Sequence, residues 1–235
     1  MNKFLCNICN QGNSNKKWIP VSVSNLEEII GRKIENKNLR KNIVYNLQFL
    51  QFIIEYTKQL YLTSVIYTLS CKVFVVITVS IIEGILFHEI KKRGVQKKSV
   101  WNFLKKIVSN ESEILKGKKI RIEANFFEKL EEEKDEEMKF EQILNIAESK
   151  KILGEDHAVY EKMKGLKKLR NKIHLHDIKN ESDNDYNNYD DTKIELAKDV
   201  LLYVLVNHFN ISDEERENHF NFLNPKTSSE DYGII

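Results

Sequence analysis

Apolar residues recur at helical spacing along most of this chain. Between Asn36 and Leu69, the positions Ile43, Leu47, Leu50 and Ile54 fall three or four residues apart, which predicts one long helix or a broken pair. Cys71 to Ile90 is strongly apolar and runs into Lys91-Lys92-Arg93-Gly94, cations in a last turn followed by the residue best suited to close a helix. Ser99 is placed to cap a short helix carrying Val100, Phe103, Leu104 and Ile107. Phe140, Ile143, Leu144 and Ala147 mark a further helix ending near Gly154, and Asp156 caps the next, which runs on to His176. Thr192-Lys193-Ile194-Glu195 reads as a capping box opening a strongly apolar helix through Val206, and Ser212-Asp213-Glu214-Glu215 repeats that signal for a short last helix.

The remaining segments break the pattern. Residues 1–35 are polar and irregular, with a short strand suggested at Trp18-Ile19-Pro20-Val21. Lys119-Ile120-Arg121-Ile122-Glu123 alternates as a short strand would, Glu131 to Glu137 reads as a solvated helix face or loop, and Asp177 to Asp191 is a polar loop. With only 8 Gly and 2 Pro, a many-stranded β protein is excluded. The fold expected is therefore an all-α helical bundle. An irregular extension (1–35) precedes a helical domain (36–211), and a short helix with a tail (212–235) follows. Phe49, Phe52, Phe74 and Trp101 sit at helical spacing and are expected in the core rather than as base-stacking platforms.

Charge and composition narrow the setting. Val65 to Phe87 is long enough to span a bilayer, but Lys72 and Glu83 leave only Val73 to Ile82 uninterrupted, so a helix buried in a bundle is expected, with no membrane partner. A formal net charge of +2 gives no global field for nucleic acid, and any basic surface must be local. Three cysteines and no secretory signal point to the cytoplasm. Cys6-Asn7-Ile8-Cys9 has the spacing of half a zinc site without a second pair, and Asp183-Asn184-Asp185 lacks the glycine and terminal glutamate of a calcium loop. No Walker motif, dinucleotide fingerprint or HExxH occurs, so neither a metal nor a cofactor is expected.

Candidate chemistry concentrates in Leu169-Arg170-Asn171-Lys172-Ile173-His174-Leu175-His176. At about 100° per residue, Val159, Met163, Leu166, Leu169 and Ile173 form one apolar arc with Arg170 inside it. His174 lies one turn beyond Arg170, at the edge of that arc. The opposite face carries Lys162, Lys164, Lys167, Lys168 and Lys172. A charge inside an apolar stripe needs a partner or a cleft. Either Arg170 pairs with an acid such as Glu83 and the histidines merely end a helix, or arginine and histidine together line a functional cleft.

Arg170-Asn171, with histidine close behind, resembles the signature of the HEPN superfamily (higher eukaryotes and prokaryotes nucleotide-binding domains). Its members carry Arg, frequently followed by Asn, and then His after a gap of four to six residues. Five residues separate Arg170 from His176, within that range, whereas three separate it from His174, one short of it. His176 fits the family spacing and His174 fits helical contact with Arg170, so both stay open as the matched histidine. The family's earlier apolar helix with an acidic residue has its counterpart in Ser80-Ile81-Ile82-Glu83-Gly84-Ile85-Leu86, and its later apolar helix in Ile194 to Val206.

The resemblance implies a small helical bundle that dimerises, bringing two motifs into one cleft, and a metal-independent RNA endonuclease of bacterial defence or toxin–antitoxin systems. In that reading histidine serves as general acid or base, Arg170 holds the scissile phosphate, Asn171 orients the phosphate or the motif backbone, and Glu83 supports the site. Lys164, Lys167, Lys168 and Lys172 would bind the RNA backbone without sequence preference. The partners implied are RNA, a second copy of the chain, and an antitoxin or other defence-system protein. The alternative is a catalytically inactive HEPN-like module that binds RNA or nucleotide, or serves for dimerisation.

Overall fold

A computed structural model describes residues 19–110, 113–115, 118–173 and 180–224 of the 235. The described chain is mainly helical and carries two small antiparallel ladders. Helix α1 (Val23–Gly31) and helix α2 (Lys37–Gln59) lead into the long α3 (Ser64–Lys92). Strands β1 (Lys98–Val108), β2 (Glu113–Leu115), β3 (Lys118–Ile120) and β4 (Glu123–Asp135) follow. Helices α4 (Phe140–Ser149), α5 (His157–Asn171), α6 (Asp185–Asn188), α7 (Asp191–Phe209) and α8 (Asp213–His219) complete the order, with a 3-10 turn at Asn221–Leu223.

Helix α3 is the axis of the bundle, packed by α2, α4, α5 and α7. Apolar residues run all the way round it, as a central helix requires. Buried positions on several sides, among them Phe74, Val75, Val79, Ile82, Ile85 and Leu86, meet those neighbours. Its stop follows the sequence: Gly94 adopts φ 65°, the Gly94 amide donates to Lys91 and the Val95 amide to Ile90, closing the last turn with two bonds. It is long and apolar enough to cross a membrane. Half of its most apolar stretch is buried inside the bundle, however, and Lys72 and Glu83 both reach oppositely charged side chains.

Several expectations need correction. Residues 19–35 are not irregular: α1 is capped by Ser22 and buries Leu26, Ile29 and Ile30, while Arg32 forks onto Glu215 and ties this helix to α8. Residues 19–22 form no strand. The segment from Ser99 is not a helix but β1, and the charged run at Glu131 lies in β4 rather than in a helix or loop. The strand read at Lys119 to Glu123 is divided between β3 and the start of β4. Helix α7 is capped two residues earlier than expected, because Asp190 accepts from the Lys193 amide at 3.1 Å and takes the cap from Thr192. The polar loop before it contains the short α6. Phe74 is in the core as expected, whereas Phe49, Phe52 and Trp101 are exposed.

β1 and β4 form an arm that leaves the helices. Its strands pack on each other, and contact with the bundle is made at the root, where Gln96 bonds the Glu136 carbonyl at 3.0 Å and Lys97 pairs with Glu136. Ser109 and Ile122 bond to one another and connect the long ladder to the short β2–β3 ladder at the tip.

Candidate functional site

Helix α5 is positioned by its two ends. Asp156 caps its start, accepting from the Ala158 amide at 2.9 Å. One turn on, the buried Tyr160 hydroxyl donates to the Ala147 carbonyl and accepts from the Leu153 amide, so the preceding turn is locked to α5. Val159, Tyr160, Met163 and Leu166 are buried, and Leu169 packs against the core, so the apolar arc read from the sequence faces inward as far as Leu169, whereas Ile173, beyond the helix end, is exposed. Helix α5 ends at Asn171 rather than continuing to residue 176. The Leu169 carbonyl there accepts a 2.6 Å bond from the hydroxyl of Tyr189, which satisfies one of the orphan acceptors of a helix end.

Tyr189 belongs to a network that the sequence reading missed. Its ring is buried under Lys72, whose ammonium lies 5.7 Å from the ring centre and 2.9 Å from both carboxylate oxygens of Asp185. Burial, and then the nearby Asp185 and Asp183 carboxylates, push the Tyr189 phenol up to about 12, so it stays a neutral donor. Lys172 pairs with Asp183 and bonds the Asn188 amide oxygen at 2.9 Å. The polar loop is thus nailed to α3 and α5 by two lysines and one tyrosine. The signal was present in the sequence: Lys72, a cation inside an apolar helix, requires a partner.

Arg170 leaves the last turn of α5 toward α3, and its Nη2 lies 3.7 Å from Oε2 of Glu83. The two side chains are 35% and 27% exposed, so the pair borders solvent and is not sealed in the core. Asn171 points to a different side. With Lys168, Lys172, Asn180, Asp183 and Asn188 it lines a polar cleft of about 430 Å³. Arg170 and Asn171 therefore flank the end of α5. His174 and His176, which follow directly, lie outside the described residues, as do Cys6 and Cys9.

The four lysines proposed as a phosphate track are mostly engaged. Lys164 holds both Glu148 and Glu161 at 2.8 Å, and those bonds push its ammonium up to about 12. Lys167 meets Glu141 at 3.1 Å and Lys172 meets Asp183. Among the described residues only Lys168 of the four has no carboxylate partner, and it lines the cleft.

His88 and Glu89, in the last turns of α3, are both half-buried. His208 of α7 is buried beside Glu89, whose carboxylate is 4.0 Å away. Burial lowers the imidazole to about 4, so at neutral pH it is uncharged and this approach is not an ion pair. Burial would raise the Glu89 carboxyl, but the Arg93 hydrogen bond and the surrounding positive groups outweigh it and hold the carboxyl low.

One further surface is apolar and exposed. On α2, Tyr45, Phe49 and Phe52 face away from the core, and on α3, Val65, Ile66, Leu69 and Val73 do the same. The two stripes meet where the Tyr56 hydroxyl donates to Ser70. Further along α3 the same side carries the exposed Ser80 and then, one turn on, Glu83. Among the described residues no group of three or more His, Cys, Asp or Glu side chains is arranged to hold a metal. Comparison with family models, curated proteins and solved structures finds no match for this chain.

Proposed function

We propose that this chain is a HEPN-like, metal-independent RNA endonuclease that acts as a homodimer in the cytoplasm. The observation that carries this reading is the state of Arg170. It stands at the end of α5, a third exposed, and meets Glu83 across 3.7 Å without a hydrogen bond. A guanidinium oriented by an acid yet open to solvent can exchange part of that contact for a phosphate, which offers it two parallel hydrogen bonds.

The reaction is an internal transfer. The ribose 2′-oxygen attacks the adjacent phosphorus as a histidine takes its proton, the P–O5′ bond breaks, and the leaving oxygen receives a proton. Arg170 stabilises the charge gathering on the phosphoryl oxygens, and Asn171 orients the phosphate or the motif backbone. The products are a 2′,3′-cyclic phosphate and a 5′-hydroxyl. His176 and His174 both remain candidates for the proton transfer.

The uncovered face of α2 and α3 supports the dimer. Tyr45, Phe49, Phe52, Tyr61, Val65, Ile66, Leu69 and Val73 are all exposed, and together they offer on the order of 800 Å², the share of one partner in a standard interface. A second copy seated there would bring two Arg170–Glu83 pairs toward one seam. Control by an antitoxin or another defence-system protein belongs to this reading. Product ends test it: fragments made in EDTA should accept a 5′-phosphate from polynucleotide kinase without prior phosphatase treatment. Fragments that carry 5′-phosphates would overturn it.

A further inference from the structure

We propose that the β1–β4 arm binds single-stranded RNA, with Trp101, Phe103 and Phe127 as stacking rings and Lys105 and Lys129 as phosphate contacts. The pairing register sets Trp101 opposite Lys129 and Phe103 opposite Phe127, so one face of the ribbon carries three rings and a cation. The Phe103 and Phe127 rings meet edge to face with centres 5.9 Å apart. Trp101, Phe103 and Phe127 are 53%, 55% and 53% exposed, a costly arrangement for large rings unless something covers them. The register shift after Phe103 then brings Lys105 opposite Phe126 on the other face, with its ammonium 5.7 Å from that ring's centre. Rings interleaved with cations along an extended ribbon match the alternation of bases and phosphates in an unpaired strand.

Charge separates RNA from a protein occupant. The centre of a protein interface is depleted of charge, whereas Lys129 sits among these rings and Lys105 lies on the reverse face of the same ribbon. Between residues 100 and 129 the sequence has seven Lys and Arg against four Glu, while Glu131, Glu132, Glu133, Asp135 and Glu136 gather at the root. Lys106 and Arg121 are both spent on Glu123. Among the described residues, Lys105, Lys118, Lys119 and Lys129 have no carboxylate within ion-pair distance. That contrasts with α5, where Lys162, Lys164, Lys167 and Lys172 are each neutralised. Among the described residues the arm thus keeps these four cations without a carboxylate partner, where α5 keeps Lys168. The choice of RNA over other single strands rests on the ribonuclease reading; the stacking surface itself does not.

The test is fluorescence anisotropy of a fluorescein-labelled dodecauridylate in EDTA, using the full chain with Arg170→Ala so that binding is read without cutting. Trp101→Ala or Phe103→Ala should weaken binding by roughly tenfold. Lys105→Gln with Lys129→Gln should lower the slope of log affinity against log salt by about 1.4. Both lysines are exposed and belong to no core, so the pair keeps the test decisive even where a ring variant lowers stability. Unchanged affinity and salt slope would overturn the proposal. So would ring variants that alter the mass in solution but not RNA affinity, since the arm would then be a self-association surface. Binding by the arm with no cleavage by the native chain would sink the nuclease reading alone; cleavage with no effect of the arm variants would sink this one alone.

Discussion

Replacing Arg170 with alanine should cost little stability, and the reason is geometric. Among the described residues its only carboxylate contact is to Glu83 at 3.7 Å, too long for a hydrogen bond, and both side chains are partly open to water. Pairs in such surroundings contribute about 0–1 kcal/mol. A sealed structural pair behaves differently, because losing one member leaves a buried charge and costs roughly 3–5 kcal/mol. Urea unfolding at pH 7 distinguishes the two. We expect Arg170→Ala and Glu83→Gln each to lower the midpoint by an amount equivalent to less than about 1 kcal/mol, with an unchanged denaturant slope. A loss near 3 kcal/mol for Arg170→Ala, recovered on adding Glu83→Gln, would show that the arginine exists to neutralise a buried acid and would refute the argument.

Other consequences are open to measurement. His208 has its pKa lowered from 6.5 to about 4 by burial, so the unfolded chain binds its proton first, and stability present above pH 6.5 drains away as pH falls toward 4. Between pH 7 and pH 5 this amounts to about 2 kcal/mol at one pKa unit per 1.36 kcal/mol, and in His208→Leu the loss should nearly vanish; an equal loss in that variant would locate the acid sensitivity elsewhere. Tyr189→Phe removes the bond to the Leu169 carbonyl and should cost about 1 kcal/mol in thermal or urea unfolding, whereas a neutral result would mean that the end of α5 is held without it. Phe49→Glu, on the exposed stripe of α2, should halve the mass measured by light scattering while the monomer stays folded; an unchanged mass would exclude this face as the dimer seam.

What could be read from the sequence follows from where each element finds its partners. Helices α2, α3, α5 and α7 bury one side or all sides in the bundle, and burial writes itself into the spacing of Leu, Ile and Val. The same pattern was present in α1, where Leu26, Ile29 and Ile30 stand at helical spacing, but the polar residues around them masked it. The arm misled for the opposite reason. Neither of its faces rests on the core, and register shifts interrupt its pairing, so β1 shows no alternation and its apolar residues at 100, 103, 104 and 107 imitate a helix. The end of α5 was illegible because no glycine or proline stops it. A tyrosine 20 positions away caps its carbonyl instead, a contact that exists only once the chain is folded. The approach of Arg170 to Glu83, by contrast, could be anticipated, because two charges inside apolar stripes must each find a partner.

The central claim is that Arg170 serves phosphate chemistry and not the fold. Its most direct test is the rate at which purified protein cuts labelled single-stranded RNA in excess EDTA, compared with that of a folded Arg170→Ala protein. The account predicts cleavage by the native chain without metal and a loss of about a hundredfold or more in the variant, as for removal of a group that stabilises transition-state charge. Cleavage that disappears in EDTA and returns with Mg²⁺, or an equal rate in both proteins, would contradict it.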